Sequence, residues 1–278
     1  MSEQFKNFAV VEVQHTTFAW GATHMLANFL RQKCVFFMYF QHPFEHFRFC
    51  GPRISIYSSG KELKTIQLPS FRAPLPLLFL RDLTVTLLCV IGIKKRFHLY
   101  VGADPLNAFA GIVLRLVRLV SKTVFYAIDW SPHRFQNKLA NSLYHFLLKW
   151  VAKRCDFVWS TSDGIAHALA RVGVSKQKVS VVPPGVDFDE TRTYAKSSPV
   201  ERSSLVFIGN LAHEKGLQLV IEAMPTLRQI CPSATVKIIG TGPYEKALRE
   251  RARLLEPTAV KFLGHLRNRD EALHLIAQ

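Results

Sequence analysis

Leu205-Val206-Phe207-Ile208-Gly209-Asn210-Leu211-Ala212-His213-Glu214-Lys215-Gly216 opens as a strand and closes at the threshold of a helix. Four apolar residues stop at Gly209, a short polar loop carries Lys215 and Gly216, and Leu217 to Ile230 then repeats apolar residues at helical spacing. Strand, loop and helix in that order leave backbone N–H groups, the positive end of a helix dipole and an ammonium on one spot, which suits a phosphate. The loop lacks the Gly-Lys-Ser/Thr ending of a Walker loop, so a nucleoside triphosphatase is not indicated.

The same unit recurs downstream. Thr235 to Ile239 predicts a strand, Gly240-Thr241-Gly242-Pro243 a loop and 244–255 a helix; Ala259 to Leu263 predicts the next strand, Gly264-His265-Leu266 its loop, and a helix starts at Asp270. Three such units in succession predict a parallel, right-handed, doubly wound sheet. Gly240 and Gly242 have no third glycine at dinucleotide spacing and no acid at the ribose position, which argues against a nicotinamide dehydrogenase.

Upstream, Pro183-Pro184-Gly185 and the polar span that follows mark a boundary, giving domains at 1–185 and 186–278. The first domain also alternates. Phe8–Val13, Val35–Phe40, Arg53–Tyr57, Phe97–Val101, Thr123–Ile128, Asp156–Ser160 and Val179–Val182 read as strands, with helices expected around Met25–Leu30, 108–120, 139–153 and 165–172. Gln41-His42-Pro43-Phe44 reads as a break after the second strand, and Ser58 to Gly60 as a turn. Leu143, Phe146, Leu147 and Trp150 are expected in the core. The apolar stretch Ala73 to Ile93 is interrupted by Arg81 and Asp82, so it reads as a buried amphipathic helix rather than a membrane span. Polar residues gather where strands end: Asp104, Asn107, Asp129, His133 and Arg134 are candidates for one shared cleft. Each is also the kind of residue that caps a helix or pairs across a loop.

Composition narrows the class. With 49% apolar and 20% charged residues in 278, the chain is a folded protein of about two domains. Five scattered cysteines show no paired spacing, so neither a disulfide framework nor a zinc site is expected. The polar start Met1 to Asn7 does not read as a signal peptide, and a cytoplasmic protein is expected. Charge is uneven: residues 1–185 carry 23 Lys and Arg against nine Asp and Glu, while 186–278 carry 13 against 11. The basic half favours an anionic membrane surface; no nucleic-acid motif accompanies it, and no nucleic-acid partner is expected.

Pro184-Gly185-Val186-Asp187, Ile208-Gly209-Asn210-Leu211 with Glu214-Lys215-Gly216, Gly240-Thr241-Gly242-Pro243, and Phe262-Leu263-Gly264-His265-Leu266 together resemble, in order and spacing, the family 4 glycosyltransferases. The resemblance implies an α/β, GT-B-like fold of two Rossmann-like domains, the acceptor on 1–185 and a nucleotide-sugar donor on a partial domain at 186–278. It implies retaining transfer to a glycan or lipid-linked acceptor, at the cytoplasmic membrane face, with no metal and no cofactor beyond the donor substrate. Carried over by position, Gly209, Asn210, Lys215, Gly240, Gly242, Gly264, His265 and Leu266 would hold the donor, with Lys215 on its diphosphate. Asn210 stands where relatives commonly carry a guanidinium, and loses a bidentate phosphate fork. Asp129 takes the place of a histidine that faces the donor sugar, with His133 and Arg134 one turn on. The catalytic set expected is therefore Asp129, His133 and Lys215. The family pattern continues with further strand–helix units and a pair of glutamates, so the resemblance implies a C-terminally truncated member. Two other readings remain open: a non-catalytic nucleotide-binding remnant, and a sugar-nucleotide epimerase of the same fold.

Overall fold

Valine-rich and aromatic runs alternate with helical periods through the first half of the chain, and the molecule pairs them into one sheet. The structure is a computed structural model that describes residues 7–16, 22–43, 51–70, 72–185, 192–194, 200–266 and 269–277. It divides into two units, Met1–Gly185 and Val186–Gln278.

In the first unit the strands are β1 (Ala9–Thr16), β2 (Phe36–Pro43), β3 (Arg53–Ser58), β4 (Lys61–Gln67), β5 (Phe97–Gly102), β6 (Val120–Ala127), β7 (Phe157–Ser160) and β8 (Val179–Val181). The helices are α1 (Ala22–Lys33), α2 (Leu75–Gly92), α3 (Pro105–Leu116), α4 (Lys138–Arg154) and α5 (Asp163–Arg171). Strand order is β4-β3-β2-β1-β5-β6-β7-β8. All neighbours are parallel except β2–β3 and β3–β4. The chain therefore steps outward from β1 to β2 on one side and returns to lay β5 on the other, which makes β1 the point where the winding reverses. Val11, Val13, Met38, Phe40, Tyr100 and Leu114 fill one core between the sheet, α2 and α3. Phe125, Leu148, Val151 and Leu169 fill the adjoining core under α4.

The second unit has β9 (Ser204–Ile208), β10 (Thr235–Ile239) and β11 (Val260–Gly264) in the order β11-β10-β9, all parallel. Its helices are α6 (Leu217–Ile230), α7 (Glu245–Leu255) and α8 (Arg269–Ala277). Leu217, Ile221 and Met224 of α6 and Leu248 and Ala252 of α7 close on Val236 and Ile238. Here the expected strands, loops and helices fall within a residue or two of their predicted places.

Four expectations for the first unit are corrected. Strand β2 runs on through Gln41, His42 and Pro43 instead of breaking there, because His42 is drawn into the interior and Pro43 is its last residue, where no ladder donor is missed. Lys61–Gln67, unassigned from sequence, is an edge strand whose mostly polar side chains face water. The two-residue turn Ser59-Gly60, both at positive φ, folds it back onto β3. In α4 the buried face is Leu148, Val151 and Ala152, so Leu143 and Phe146 are exposed and Trp150 half-buried. The expected buried amphipathic helix is α2, but its buried stripe is Leu78, Asp82, Thr86 and Val90, while Leu77, Leu80, Leu88 and Ile91 are exposed. The polar residues take the inner positions because their partners are there.

Candidate functional site

In the second unit the three glycine turns follow one another along the carboxyl edge of the sheet. The Gly209 N–H donates to the Ile239 carbonyl at 3.0 Å, the Leu211 N–H to that of Thr241 at 3.0 Å, and the Gly240 N–H to that of Gly264 at 2.7 Å. The approach is so close that a Cβ on Gly240 would lie 1.9 Å from the Gly209 carbonyl oxygen. One on Gly242 would meet the Leu211 carbonyl at 2.3 Å and the Asn210 Oδ1 at 2.6 Å. Only backbone fits between these turns, which accounts for the glycines.

Beyond Leu211 the chain makes a short 3-10 turn, His213–Lys215, and Gly216 at φ 71° redirects it into α6. Among the described residues no side chain caps that helix start; the Leu219 N–H turns back to the Gly216 carbonyl at 3.0 Å, and the Leu217 and Gln218 N–H groups, with their share of the helix dipole, face an anion's place. Lys215 is exposed at this entrance. The loop is braced from the second turn: the Tyr244 N–H donates to the Leu211 carbonyl at 3.0 Å, and the His213 and Tyr244 rings meet edge to face at 5.0 Å. His265 and Leu266 continue the same edge past Gly264, exposed and half-buried respectively. The structure thus brings Gly209, Asn210, Gly240, Gly242 and Gly264 into direct contact, with Lys215 at the adjoining helix start. A shallow depression outside α7, bordered by Lys246, Arg249 and Arg253, shares only Gly242 with this set.

In the first unit the expected cleft residues separate into two groups. Asp129, exposed just after β6, pairs with Arg134 at 2.5 Å. Burial opposes the Arg134 charge, but Asp129 more than compensates and holds the guanidinium above its ordinary range. The loop between them is fixed by α4: Asn141 Nδ2 donates to the Pro132 carbonyl at 2.9 Å, and Trp130 packs on His145 at 5.3 Å. His133, on that loop, is exposed.

Asp104 and Asn107 belong instead to a buried cluster that the sequence did not reveal. Asp104 caps α3, accepting from the Asn107 N–H at 2.9 Å and from Asn107 Nδ2 at 2.5 Å. His15, at the carboxyl end of β1, lies between two carboxylates, with Nδ1 2.7 Å from Asp104 and Nε2 3.3 Å from Asp82. Asp82 is also held by Arg81 at 2.7 Å and lies 3.4 Å from His42, whose Nε2 is 2.9 Å from Thr86 Oγ1. Burial alone would strip the proton from His15; the two carboxylates outweigh it and raise its pKa to about 9. Burial would likewise raise Asp82, but hydrogen bonds from His15 and His42 hold it well below the carboxylate range. His42 is lowered by burial and stays neutral. With both ring nitrogens engaged and the charge retained, His15 is a clamp on α2 and α3 rather than a proton acceptor. No local motif signals it, because its partners lie 67 and 89 residues away.

Residues 49–190, about half of the chain, match the family model described as Glycosyltransferase Family 4, and residues 202–277 match that described as Glycosyl transferases group 1. The chain belongs to glycosyltransferase family 4. Among the relatives of this family 4 chain, WcaL of Escherichia coli (strain K12), named for colanic acid biosynthesis, is 26% identical over 136 residues, covering 49% of the chain and 32% of WcaL. A GDP-mannose-dependent alpha-(1-6)-phosphatidylinositol monomannoside mannosyltransferase of Mycobacterium tuberculosis is 25% identical over 143 residues, covering 49% of the chain and 35% of that protein. The family 4 chain therefore matches about a third of the length of these curated relatives. HepE of Anabaena, solved in complex with UDP and glucose, superposes with a TM-score of 0.64 at 16% identity, covering 98% of the chain and 72% of HepE. That likeness is one of fold, the GT-B fold.

Proposed function

We propose that the chain transfers a sugar, with retention and without a metal, from a nucleotide-sugar donor to a glycan or lipid-linked acceptor at the cytoplasmic face of a membrane. Residues 186–278 hold the donor and residues 1–185 the acceptor. The observation that carries this reading is the meeting of the Gly209, Gly240 and Gly264 turns beside an uncapped helix start, within the segment matched by the group 1 family model. As the sugar leaves, negative charge grows on the nucleoside diphosphate; Lys215 and the N–H groups beyond Gly216 are placed to stabilise it. Asn210 contributes an amide where a guanidinium would bind more strongly. Gly242, His265 and Leu266 line the donor's approach along the same edge, and Asp129 and His133 act on the first unit's side. Support for a nucleotide-sugar also comes from the UDP and glucose in HepE and the GDP-mannose dependence of the mycobacterial relative. The phosphatidylinositol monomannoside in the latter's name supports a lipid-linked acceptor.

The test is release of nucleoside diphosphate and formation of a glycoside from a panel of UDP-, GDP- and ADP-sugars with lipid-linked and free glycan acceptors. Lys215→Ala is expected to lower turnover by about two to three orders of magnitude, the scale of losing one charge-stabilising donor. Binding without turnover, or an epimerised donor formed without acceptor, would overturn the reading.

A further inference from the structure

Helix α2 is built inside out. Its two charged residues, Arg81 and Asp82, are turned inward and bonded to each other, and Asp82 is tied to His15 on β1. Thr86, also inward, meets His42 of β2. A polar network thus seats this helix on the sheet. Its outward positions include Leu77, Leu80, Leu88 and Ile91, which are 54%, 58%, 63% and 47% exposed. The one hydroxyl among them, Thr84, donates to the Leu80 carbonyl at 2.7 Å and so needs nothing from water. A helix face in water is ordinarily charged. This one carries no charge along five turns.

The face continues onto the neighbouring helix. α3 packs beside α2, both descend toward the amino ends of the strands, and the loops that follow them are joined: Arg96 Nε donates to the Arg118 carbonyl at 3.1 Å, and the Phe97 N–H to that of Leu119 at 2.8 Å. Leu116 and Val117 are likewise exposed, at the end of α3 that runs into this joined pair of loops. Around this corner stand Lys94, Lys95, Arg96 and Arg118, all exposed. Lys94 and Arg118 turn the two helix ends at φ 51° and 61°, a left-handed conformation that glycine adopts at no cost and other residues adopt for about 1 kcal/mol or more. Two strained positions are thus given to cations. Between residues 72 and 122 the only carboxylates are Asp82 and Asp104, both engaged by His15.

We infer that the outer face of α2, with the adjoining end of α3, docks flat on an anionic lipid surface, the apolar residues entering the headgroup boundary and the basic corner meeting lipid phosphates. An apolar stripe bordered by cations and free of acids matches that surface in both charge and polarity. The polar anchors to His15 and His42 keep the helix on the sheet, so it lies in the interface rather than crossing it. This gives a site to the membrane-face part of the proposed function, and it is tested without donor, acceptor or turnover.

The full chain is sedimented with vesicles of equimolar phosphatidylglycerol and phosphatidylcholine, and with phosphatidylcholine alone. Partition into the anionic vesicles is expected to exceed the neutral value by more than about tenfold and to fall with added salt. Leu80→Glu with Leu88→Glu is expected to lower it about a hundredfold, roughly tenfold for each leucine kept out of the interface. Lys94→Gln with Lys95→Gln and Arg96→Gln should lower it at least about tenfold. Both variants change exposed residues and should keep the wild-type circular dichroism. Leu254→Glu, equally exposed on α7, should bind vesicles like the wild type. Equal binding to both vesicles, or leucine variants that bind undiminished, would overturn the inference. So would failure to sediment combined with a concentration-dependent dimer that the leucine variants abolish, which would assign the face to a second copy of the chain.

Discussion

Replacing His15 by alanine removes a group that, alone among the described residues, bonds both Asp82 and Asp104. The size of the effect follows from its titration. An imidazole raised from 6.5 to about 9 on folding contributes about 3 kcal/mol, at roughly 1.4 kcal/mol per pH unit. Leaving a buried charge without its partner costs about 3–5 kcal/mol by a separate route, and the Arg81 contact to Asp82 places this site at the lower end. The sign is definite. The folded pKa lies above the unfolded one, so the contribution is complete below about pH 6.5, is lost progressively on raising the pH toward 9, and is absent above it. The groups facing the ring are Asp82 and Arg81 from α2, Asp104 and Asn107 from α3, and His42 from β2. Among these, His42 has its pKa lowered by burial and so acts on the acid side. All four tryptophans lie in the first 185 residues, so urea unfolding followed by their fluorescence reports on this unit alone. Wild type and His15→Ala should differ by about 3 kcal/mol near pH 6 and by much less near pH 10. A gap of the same size at both pH values would refute the clamp and leave only lost packing. Should the variant not fold, the wild-type slope between 6.5 and 9 decides alone; a flat profile there is equally fatal.

Gly240→Ala places a methyl 1.9 Å from the Gly209 carbonyl and should destabilise the second unit by about 2 kcal/mol or more, read from the tyrosine and far-ultraviolet signals of thermal unfolding. Donor binding, followed by calorimetry with nucleoside diphosphates, should weaken in parallel; an unchanged melt would mean the turns are not in contact. Asp156, which accepts from the Thr123 N–H at 2.9 Å, from Arg115 at 2.6 Å and from Lys122 at 3.2 Å, is held below the carboxylate range by these partners against its partial burial. Its contribution is present above the unfolded carboxylate range and is lost as the pH falls through the folded value. Asp156→Asn should therefore cost about 1–2 kcal/mol near neutrality and nothing in strong acid, by urea titration.

Much of the second unit was legible because its information is local. An apolar run, a glycine and a helical period suffice to name each strand, turn and helix from Leu205 to Ala277. The glycines of the carboxyl edge could be named for the same reason, since a backbone that must pass within contact distance of another tolerates no Cβ. The Asp104 cap was also readable in Asp104-Pro105-Leu106-Asn107, three residues apart. What could not be read was the other end of that carboxylate, His15, because nothing in the sequence says which strand end lies beside which.

The same limit explains α2. Composition marks Leu75 to Gly92 as apolar and Arg81-Asp82 as an interruption, and hydropathy then predicts leucines inward and charges at the margin. Which face packs is settled by partners, and the sheet offers His15 and His42 beneath that helix, so Asp82 and Thr86 go in and the leucines come out. By itself the sequence determined most of the strands, though not Lys61–Gln67, together with the glycine corners and the excess of positive charge. Only the tertiary structure decided which carboxylates share a histidine and which apolar face is left outward, because both depend on contacts between segments distant along the chain.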